Sequence, residues 1–135
     1  MPERVLLDTD VFSYLLDRRP EAEVFRPFLR GRTRCLSFIS LGELYYGAYK
    51  RQWGEVRFRG LCRAICDTLC IPYDDRMPEC YGRIVAECER MGRPIEIHDA
   101  WIAATAIVHC IPLVTNNVKH YGQVNGLDLV CPEPA

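Results

Sequence analysis

Short apolar runs alternate with longer segments of helical periodicity along the chain, and this alternation restricts the possible folds more than any other feature. Short runs rich in Val, Ile and Leu are typical of strands, whereas the longer segments have the spacing of amphipathic helices. Strands that alternate with helices favour a parallel sheet covered by helices. We therefore predict an α/β fold, a three-layer α/β/α sandwich with a mainly parallel sheet of four to five strands. The predicted strands are residues 5–7, 35–39, 70–73, 113–115 and 127–130.

The segments between the predicted strands carry the start and stop signals of helices. One of them begins after Pro20 and ends at Gly31, and its Pro27 should kink or interrupt a helix. The most apolar helix is expected to pack on the centre of the sheet. The predicted helices are residues 11–16, 21–30, 41–51, 55–69, 75–91 and 99–109, with a short helical turn at 118–121.

Length and charge limit the number of domains and the class of protein. The 135 residues are enough for one domain with a buried core, so we predict a single domain over residues 1–135. The net charge of −1 gives no general basic field, and any contact with nucleic acid would need a local patch. We predict no signal peptide and no membrane-spanning stretch, and therefore a cytoplasmic protein.

The chain contains eight cysteines, which we expect to be reduced thiols in the cytoplasm. Cys62, Cys66 and Cys70 recur every four residues and would share one face of a helix. Zinc sites usually have closely spaced ligand pairs, which this segment lacks. We therefore interpret these cysteines as small core residues rather than as zinc ligands.

Three carboxylates occupy positions that a parallel sheet would bring together. Asp8 follows the first predicted strand, Glu43 follows the second, and Asp99 opens the most apolar helix. Asn117 is the second residue after the fourth predicted strand. Ligand sites of open α/β sheets lie at the carboxyl ends of the strands, so we expect these side chains to converge. Three converging carboxylates would repel one another, and a divalent cation would compensate their charge.

Each acidic residue also has an ordinary structural interpretation. Asp8 could cap the helix that follows it. Ser40 and Glu43 have the spacing of a capping box. Asp99 could stabilise the N-terminus of its helix through the helix dipole. His98 is interpreted as a structural neighbour of Asp99 rather than as a general base.

The polar residues named above lie in four short segments that occur in a fixed order. These segments are LLDTDVF at 6–12, ISLGELYYG at 39–47, DAWIAATA at 99–106 and VTNNVKHY at 114–121. Together they resemble the signature segments of PIN-domain ribonucleases, and most of all those of the VapC toxins of bacterial toxin–antitoxin pairs. The resemblance implies an α/β/α sandwich with an acidic pocket that holds Mg²⁺ or Mn²⁺.

The resemblance also implies roles for individual residues. Asp8 and Asp99 would be the main metal ligands, and Glu43 would bind the metal or orient the water that it activates. Asn117 stands where the family often has a fourth acid, which places a second tightly held metal ion in question. Asp10 and Thr115 would support the pocket from outside the ligand set. The implied catalytic set is Asp8, Glu43, Asp99 and Asn117.

The function implied by the resemblance is that of a metal-dependent endoribonuclease, the toxin of a toxin–antitoxin pair. It would hydrolyse RNA phosphodiester bonds with a metal-activated water. Lys50, Arg51 and Arg57 are candidate contacts to RNA phosphates, although they could equally be solvated helix residues. The expected partners are RNA, a VapB-like antitoxin and a second copy of the chain, with no membrane.

The homodimer is also suggested by an aromatic group that is either an interface or part of the core. Its members are Tyr45, Tyr46, Tyr49 and Trp53. Two other functions compete with the ribonuclease. A haloacid-dehalogenase-like phosphatase would use Asp8 as a nucleophile. A catalytically degenerate PIN module would bind RNA or protein without cutting.

Overall fold

The computed structural model describes residues 3–132 and contains one five-stranded sheet. The strands are β1 (Arg4–Leu7), β2 (Thr33–Ser37), β3 (Leu69–Ile71), β4 (Leu113–Val114) and β5 (Leu129–Val130). Their order is β3-β2-β1-β4-β5, and every neighbouring pair is parallel. The five predicted strands are all present, within a few residues of their predicted ends.

Helices connect the strands and account for most of the remaining chain. They are α1 (Thr9–Leu16), α2 (Arg26–Leu29), α3 (Phe38–Lys50), α4 (Glu55–Cys66), α5 (Met77–Arg90), α6 (Ile97–His109) and α7 (Val118–Tyr121), with a 3₁₀ helix at Pro20–Val24. The predicted interruption near Pro27 is present, because this segment divides into the 3₁₀ helix and α2. Pro27 lies in the first turn of α2, where its missing N–H has no intrahelical acceptor to lose.

Alternate residues of the strands enter two separate cores, one on each face of the sheet. Leu6 packs in the core that contains the buried residues of α5 and α6. Its neighbours Val5 and Leu7 pack in the other core, with buried residues of α1 to α4. Because side chains alternate across a strand, one central strand serves both layers. The predicted three-layer α/β/α sandwich is confirmed.

Two local predictions are corrected by the position of helix ends. The second strand ends at Ser37 and not at residue 39, since the Ser37 hydroxyl accepts a bond from the Ile39 N–H and caps α3. Helix α4 ends at Cys66, so Cys70 lies on β3 and does not share a helix face with Cys62. All eight cysteines are free thiols. Cys66 and Cys70 are exposed, so their interpretation as core residues is wrong.

The two central strands, β1 and β4, determine the position of the Asp8 carboxylate at one edge of the sheet. The Asp8 N–H donates to the Val114 carbonyl at 2.9 Å, so the end of β1 is fixed against the end of β4. At the same edge, β2 leads directly into α3. Within residues 3–132, no helix has both the length and the apolar composition that crossing a bilayer requires.

Candidate active site

Asp8 is the buried carboxylate at the carboxyl end of β1, with only 7% of its surface exposed. Its Oδ1 accepts hydrogen bonds from the Thr9 N–H at 2.9 Å and from the Tyr121 hydroxyl at 3.1 Å. Its Oδ2 accepts a bond from the Thr115 hydroxyl at 2.9 Å. Asp8 does cap α1, as one interpretation proposed, but capping accounts for only the bond from Thr9.

Asp99 lies in the first turn of α6, and another residue caps that helix. The Glu96 Oε2 accepts bonds from the N–H groups of His98 at 3.0 Å and Asp99 at 3.2 Å. The Asp99 carboxylate is therefore free to face the pocket. Its Oδ1 lies 3.1 Å from the Tyr121 hydroxyl oxygen, and its Oδ2 lies 3.2 Å from the His120 Nδ1.

Tyr121 lies between the two aspartates and was not among the site residues predicted from the sequence. Its ring is 1% exposed and belongs to the core beneath α6, while its hydroxyl lies 3.1 Å from one oxygen of each aspartate. A buried tyrosine usually finds a hydrogen-bond partner for its hydroxyl. Its place in the fourth signature segment could have suggested that this partner lies in the pocket.

Glu43 lies inside α3 and does not take part in a capping box. Ser37 caps this helix, so Ser40 and Glu43 both lie within it, and the capping-box interpretation is wrong. The Thr9 hydroxyl oxygen lies 2.9 Å from both the Ser40 hydroxyl and the Glu43 Oε1. The Glu43 Oε2 lies 3.5 Å from the His98 Nδ1. Thr9 therefore ties α3 to the start of α1 beside Asp8.

Burial makes this cluster unfavourable for negative charge. Desolvation is the main cause that raises the pKa values of Asp8 and Glu43. Desolvation, followed by the charge of Asp8, raises the pKa of Asp99 to about 6. The pKa of the Tyr121 hydroxyl is also raised, first by burial and then by the two aspartates. The pocket therefore favours a proton or a cation among its carboxylates.

Two cavities that share lining residues open at this edge of the sheet. The smaller has a volume of about 470 Å³, and Asp8, Glu43 and Asp99 line it together. The larger, of about 1000 Å³, runs between α1 and α3 and shares Thr9 and Glu43 with the smaller. The structure thus brings together the three carboxylates that the sequence analysis selected.

The donor set of the smaller cavity fits a hard divalent cation only in part. Within the described residues, no three Asp, Glu, His or Cys side chains form a ready ligand set. Asp8 and Asp99 face one hydroxyl and supply carboxylate oxygens, which Mg²⁺ prefers while it keeps several waters. The residues present therefore fit a metal held directly by two aspartates. Glu43 lines the same cavity, and its expected role, as a metal ligand or as the group that orients the metal-bound water, stays a prediction.

The other predicted site residues have more peripheral positions. The Asn117 side chain contacts the His120 Nε2 at 3.1 Å and is not among the described residues that line the smaller cavity. Its N–H donates to the Thr115 hydroxyl at 2.9 Å, so it supports Asp8 through Thr115. Asp10 is exposed at the junction of the cavities. The basic candidates line the larger cavity, namely Lys50, Arg51 and Arg57.

Comparisons with known proteins agree with this geometry. The PIN domain family model matches residues 5–123, and the chain therefore belongs to the PIN domain family. Ribonuclease VapC2 of Haemophilus influenzae (strain ATCC 51907 / DSM 11121 / KW20 / Rd) is 30% identical over 124 residues, which cover 92% of this chain and 94% of that protein. The tRNA(fMet)-specific endonuclease VapC of Shigella flexneri is 31% identical over 124 residues, with the same coverage.

Solved structures of VapBC proteins also match this chain over most of its length. The crystal structure of VapBC2 from Rickettsia felis bound to a promoter DNA fragment superposes with a TM-score of 0.84 at 26% identity, covering 96% of this chain and 99% of that chain. VapBC-1 from nontypeable Haemophilus influenzae gives a TM-score of 0.81 at 28% identity, covering 95% and 97% of the two chains. The resemblance to VapC-type PIN-domain ribonucleases is confirmed, and the family assignment replaces the dehalogenase-like alternative.

Asp99→Asn should stabilise the metal-free protein at neutral pH. Because the folded pKa of Asp99 is about 6 and its ordinary value is 3.8, the folded chain holds this proton more tightly than the unfolded chain. The contribution of Asp99 to the free energy of unfolding is fully present below its pKa in the unfolded chain. It is lost as the pH rises through its pKa in the folded chain. We expect the variant to match wild type near pH 4 and to exceed it by on the order of 2 kcal/mol at pH 7.5.

Urea unfolding in EDTA at both pH values measures this difference. Asp128→Asn, at an exposed position outside the pocket, is the matched control and should differ from wild type by less than about 0.5 kcal/mol. An Asp99→Asn protein less stable than wild type at pH 7.5 would contradict the assigned charge repulsion.

Proposed function

We propose that this chain is a divalent-metal-dependent endoribonuclease that acts as the toxin of a toxin–antitoxin pair. The observation that carries the proposal is the pair of aspartates facing a single buried hydroxyl in a chain of the PIN domain family. Relatives named as ribonucleases, about 30% identical over most of the chain, support the reaction class.

The residues of the pocket can divide the work of phosphodiester hydrolysis. Asp8 and Asp99 would hold the cation, which would supply positive charge to the phosphate and lower the pKa of a water. Glu43, fixed through Oε1 by Thr9, would receive a proton from the attacking water at Oε2. Burial raises the pKa of Glu43, which makes its carboxylate a better proton acceptor than an exposed one. Thr115 and Tyr121 would keep Asp8 in place.

The larger cavity would bind the RNA on either side of the scissile phosphate. The Arg57 guanidinium lies 3.9 Å from the centroid of the Trp53 ring, and the Lys50 ammonium lies 5.6 Å from that of Tyr46. Arginine and lysine can bind phosphates, and aromatic faces can stack on unpaired bases. Arg57 also lies 3.5 Å from Asp17, which keeps its guanidinium beside the cavity.

The proposed partners follow from the relatives and from the surface. The solved relatives include VapBC toxin–antitoxin complexes, which supports a VapB-like antitoxin for this chain. The homodimer stays a prediction, supported by the exposed aromatic side chains of Tyr46 (64%) and Tyr49 (71%). Tyr45 is half-buried and packs against Phe58, so that residue belongs to the core.

Replacement of either aspartate should abolish cleavage without loss of the fold. Asp8→Asn and Asp99→Asn each remove a ligand charge, and we expect the rate of RNA cleavage with Mg²⁺ to fall by at least about 100-fold. Asn117→Ala should have a smaller effect, because Asn117 contacts His120 and not the aspartates. The assay is cleavage of mixed cellular RNA, with EDTA as the metal-free arm and circular dichroism as the check on folding.

Asp128→Asn serves as the control for this series and should cleave at the wild-type rate. Full activity of Asp99→Asn, or wild-type cleavage that survives EDTA, would refute the proposed mechanism. A folded wild-type protein that binds RNA but never cuts it would instead favour the degenerate binding module.

The basic residues of the larger cavity should contribute to RNA affinity rather than to chemistry. Lys50→Gln together with Arg57→Gln should raise KM several-fold with little change in kcat. The salt dependence of RNA binding should decrease in slope by about 1 to 2, because up to two phosphate contacts are lost. Fluorescence anisotropy at several salt concentrations measures the slope. Arg59→Gln is the control, since Arg59 pairs with Glu55 at 2.6 Å and does not line this cavity.

The toxin role predicts that a neighbouring gene encodes a small protein that inhibits this chain. Coexpression of the two should yield a purified complex with little ribonuclease activity, and removal of the partner under mild denaturation should restore it. Expression of the chain alone should arrest cell growth, whereas Asp8→Asn should not. Growth arrest by the Asp8→Asn variant would show that toxicity does not depend on the proposed pocket.

A further inference from the structure

Within the described chain, the Tyr121 hydroxyl is the one group that lies within hydrogen-bonding distance of both Asp8 and Asp99. We propose that Tyr121 is a positioning residue of the metal pocket. This role rests on the metal dependence proposed above. The Tyr121 hydroxyl lies 3.1 Å from one oxygen of each aspartate and thereby keeps the two carboxylates close to each other. The residue itself would not bind the cation.

The geometry limits how far the two aspartates can separate. Since each Oδ1 atom lies 3.1 Å from the same hydroxyl oxygen, the two carboxylate oxygens lie no more than twice that distance apart. A Mg²⁺ ion binds oxygen at about 2.0–2.1 Å, so two oxygens on one ion lie no more than about 4.2 Å apart, and that span falls within the limit that the shared hydroxyl sets. The other two oxygens are held separately, that of Asp8 by Thr115 and that of Asp99 by His120.

The hydroxyl reaches the aspartates from the protein side and leaves the cavity side open. The Tyr121 ring is fully buried in the same core as Ala100 and Ala103 of α6, and Tyr121 is not among the residues that line the cavity. A phenol has few rotatable bonds, so a buried ring holds its oxygen in one place. A cation could therefore enter from the cavity without displacing Tyr121.

The single proton of the Tyr121 hydroxyl is the reason why the arrangement favours a cation. A tyrosine hydroxyl carries one proton and can donate to only one carboxylate at a time. When both aspartates are ionised, the second oxygen at 3.1 Å faces a lone pair and gains no hydrogen bond. Positive charge on the cavity side compensates both oxygens at once. The hydroxyl thus limits how far apart the aspartates lie. It leaves part of their negative charge uncompensated, and a metal ion can balance that charge.

Tyr121→Phe tests the proposal, because it keeps the buried ring and removes only the oxygen. Changing an outer partner of a metal ligand typically costs about 10- to 100-fold in metal affinity, so we expect the Mn²⁺ Kd to weaken by at least about 10-fold. Isothermal titration calorimetry with Mn²⁺ alone measures this, and circular dichroism should be unchanged. Tyr81→Phe is the matched control. Its ring stacks on Trp101 with centroids 4.1 Å apart, and Tyr81 does not line the metal cavity.

A positioning role also predicts rescue by excess metal. Raising the Mn²⁺ concentration should return RNA cleavage by Tyr121→Phe towards the wild-type rate, but should not rescue Asp99→Asn. In the wild-type protein, Mg²⁺ should shift one tyrosine Cζ resonance more than the others, which provides a readout that does not depend on any variant.

The outcomes separate this proposal from the proposed function. Equal Mn²⁺ affinity in wild type and Tyr121→Phe, or tyrosine resonances that do not respond to Mg²⁺, would overturn the role of Tyr121 and leave the ribonuclease intact. Wild-type protein that binds neither ion would overturn both the metal dependence and the positioning role.

Discussion

The parallel pairing of β1 with both β2 and β4 is the constraint on which the rest of the structure depends. Parallel strands end at the same edge, so the chain delivers Asp8, the start of α3 and Thr115 to one place. The bond from the Asp8 N–H to Val114 fixes this edge, and the buried apolar residues on both faces fix the register. Asp99 joins from α6, which packs against the same sheet.

Burial of charge at this edge is unfavourable unless it is compensated. The raised pKa values of Asp8, Glu43 and Asp99 are direct consequences of that burial. Hydroxyl groups supply much of the compensation, from Thr9, Thr115 and Tyr121. A hydroxyl stabilises a carboxylate without neutralising it, so the ionised aspartates keep the negative charge that the proposed cation would compensate. Arginines in place of these hydroxyls would neutralise the negative charge of the carboxylates.

The two cavities give the pocket chemically different surroundings. The smaller contains the carboxylates, whereas the larger presents lysine, arginine and aromatic side chains between α1 and α3. Thr9 and Glu43 belong to both, so a polyanion bound along the larger cavity would pass directly beside the acids. The overall charge of −1 conceals this division, because the basic residues are local and not general.

The sequence by itself determined the strand and helix pattern, the family resemblance and the three acids, because hydrophobic periodicity and short motifs are local properties. The tertiary structure alone decided how those acids are held. It assigned the cap of α3 to Ser37, moved Cys70 from a helix to a strand, and turned Asn117 towards His120. It also placed the Tyr121 hydroxyl between two aspartates that are distant in the chain. Such contacts depend on how separate elements pack, and no local pattern encodes the distance between side chains on different elements.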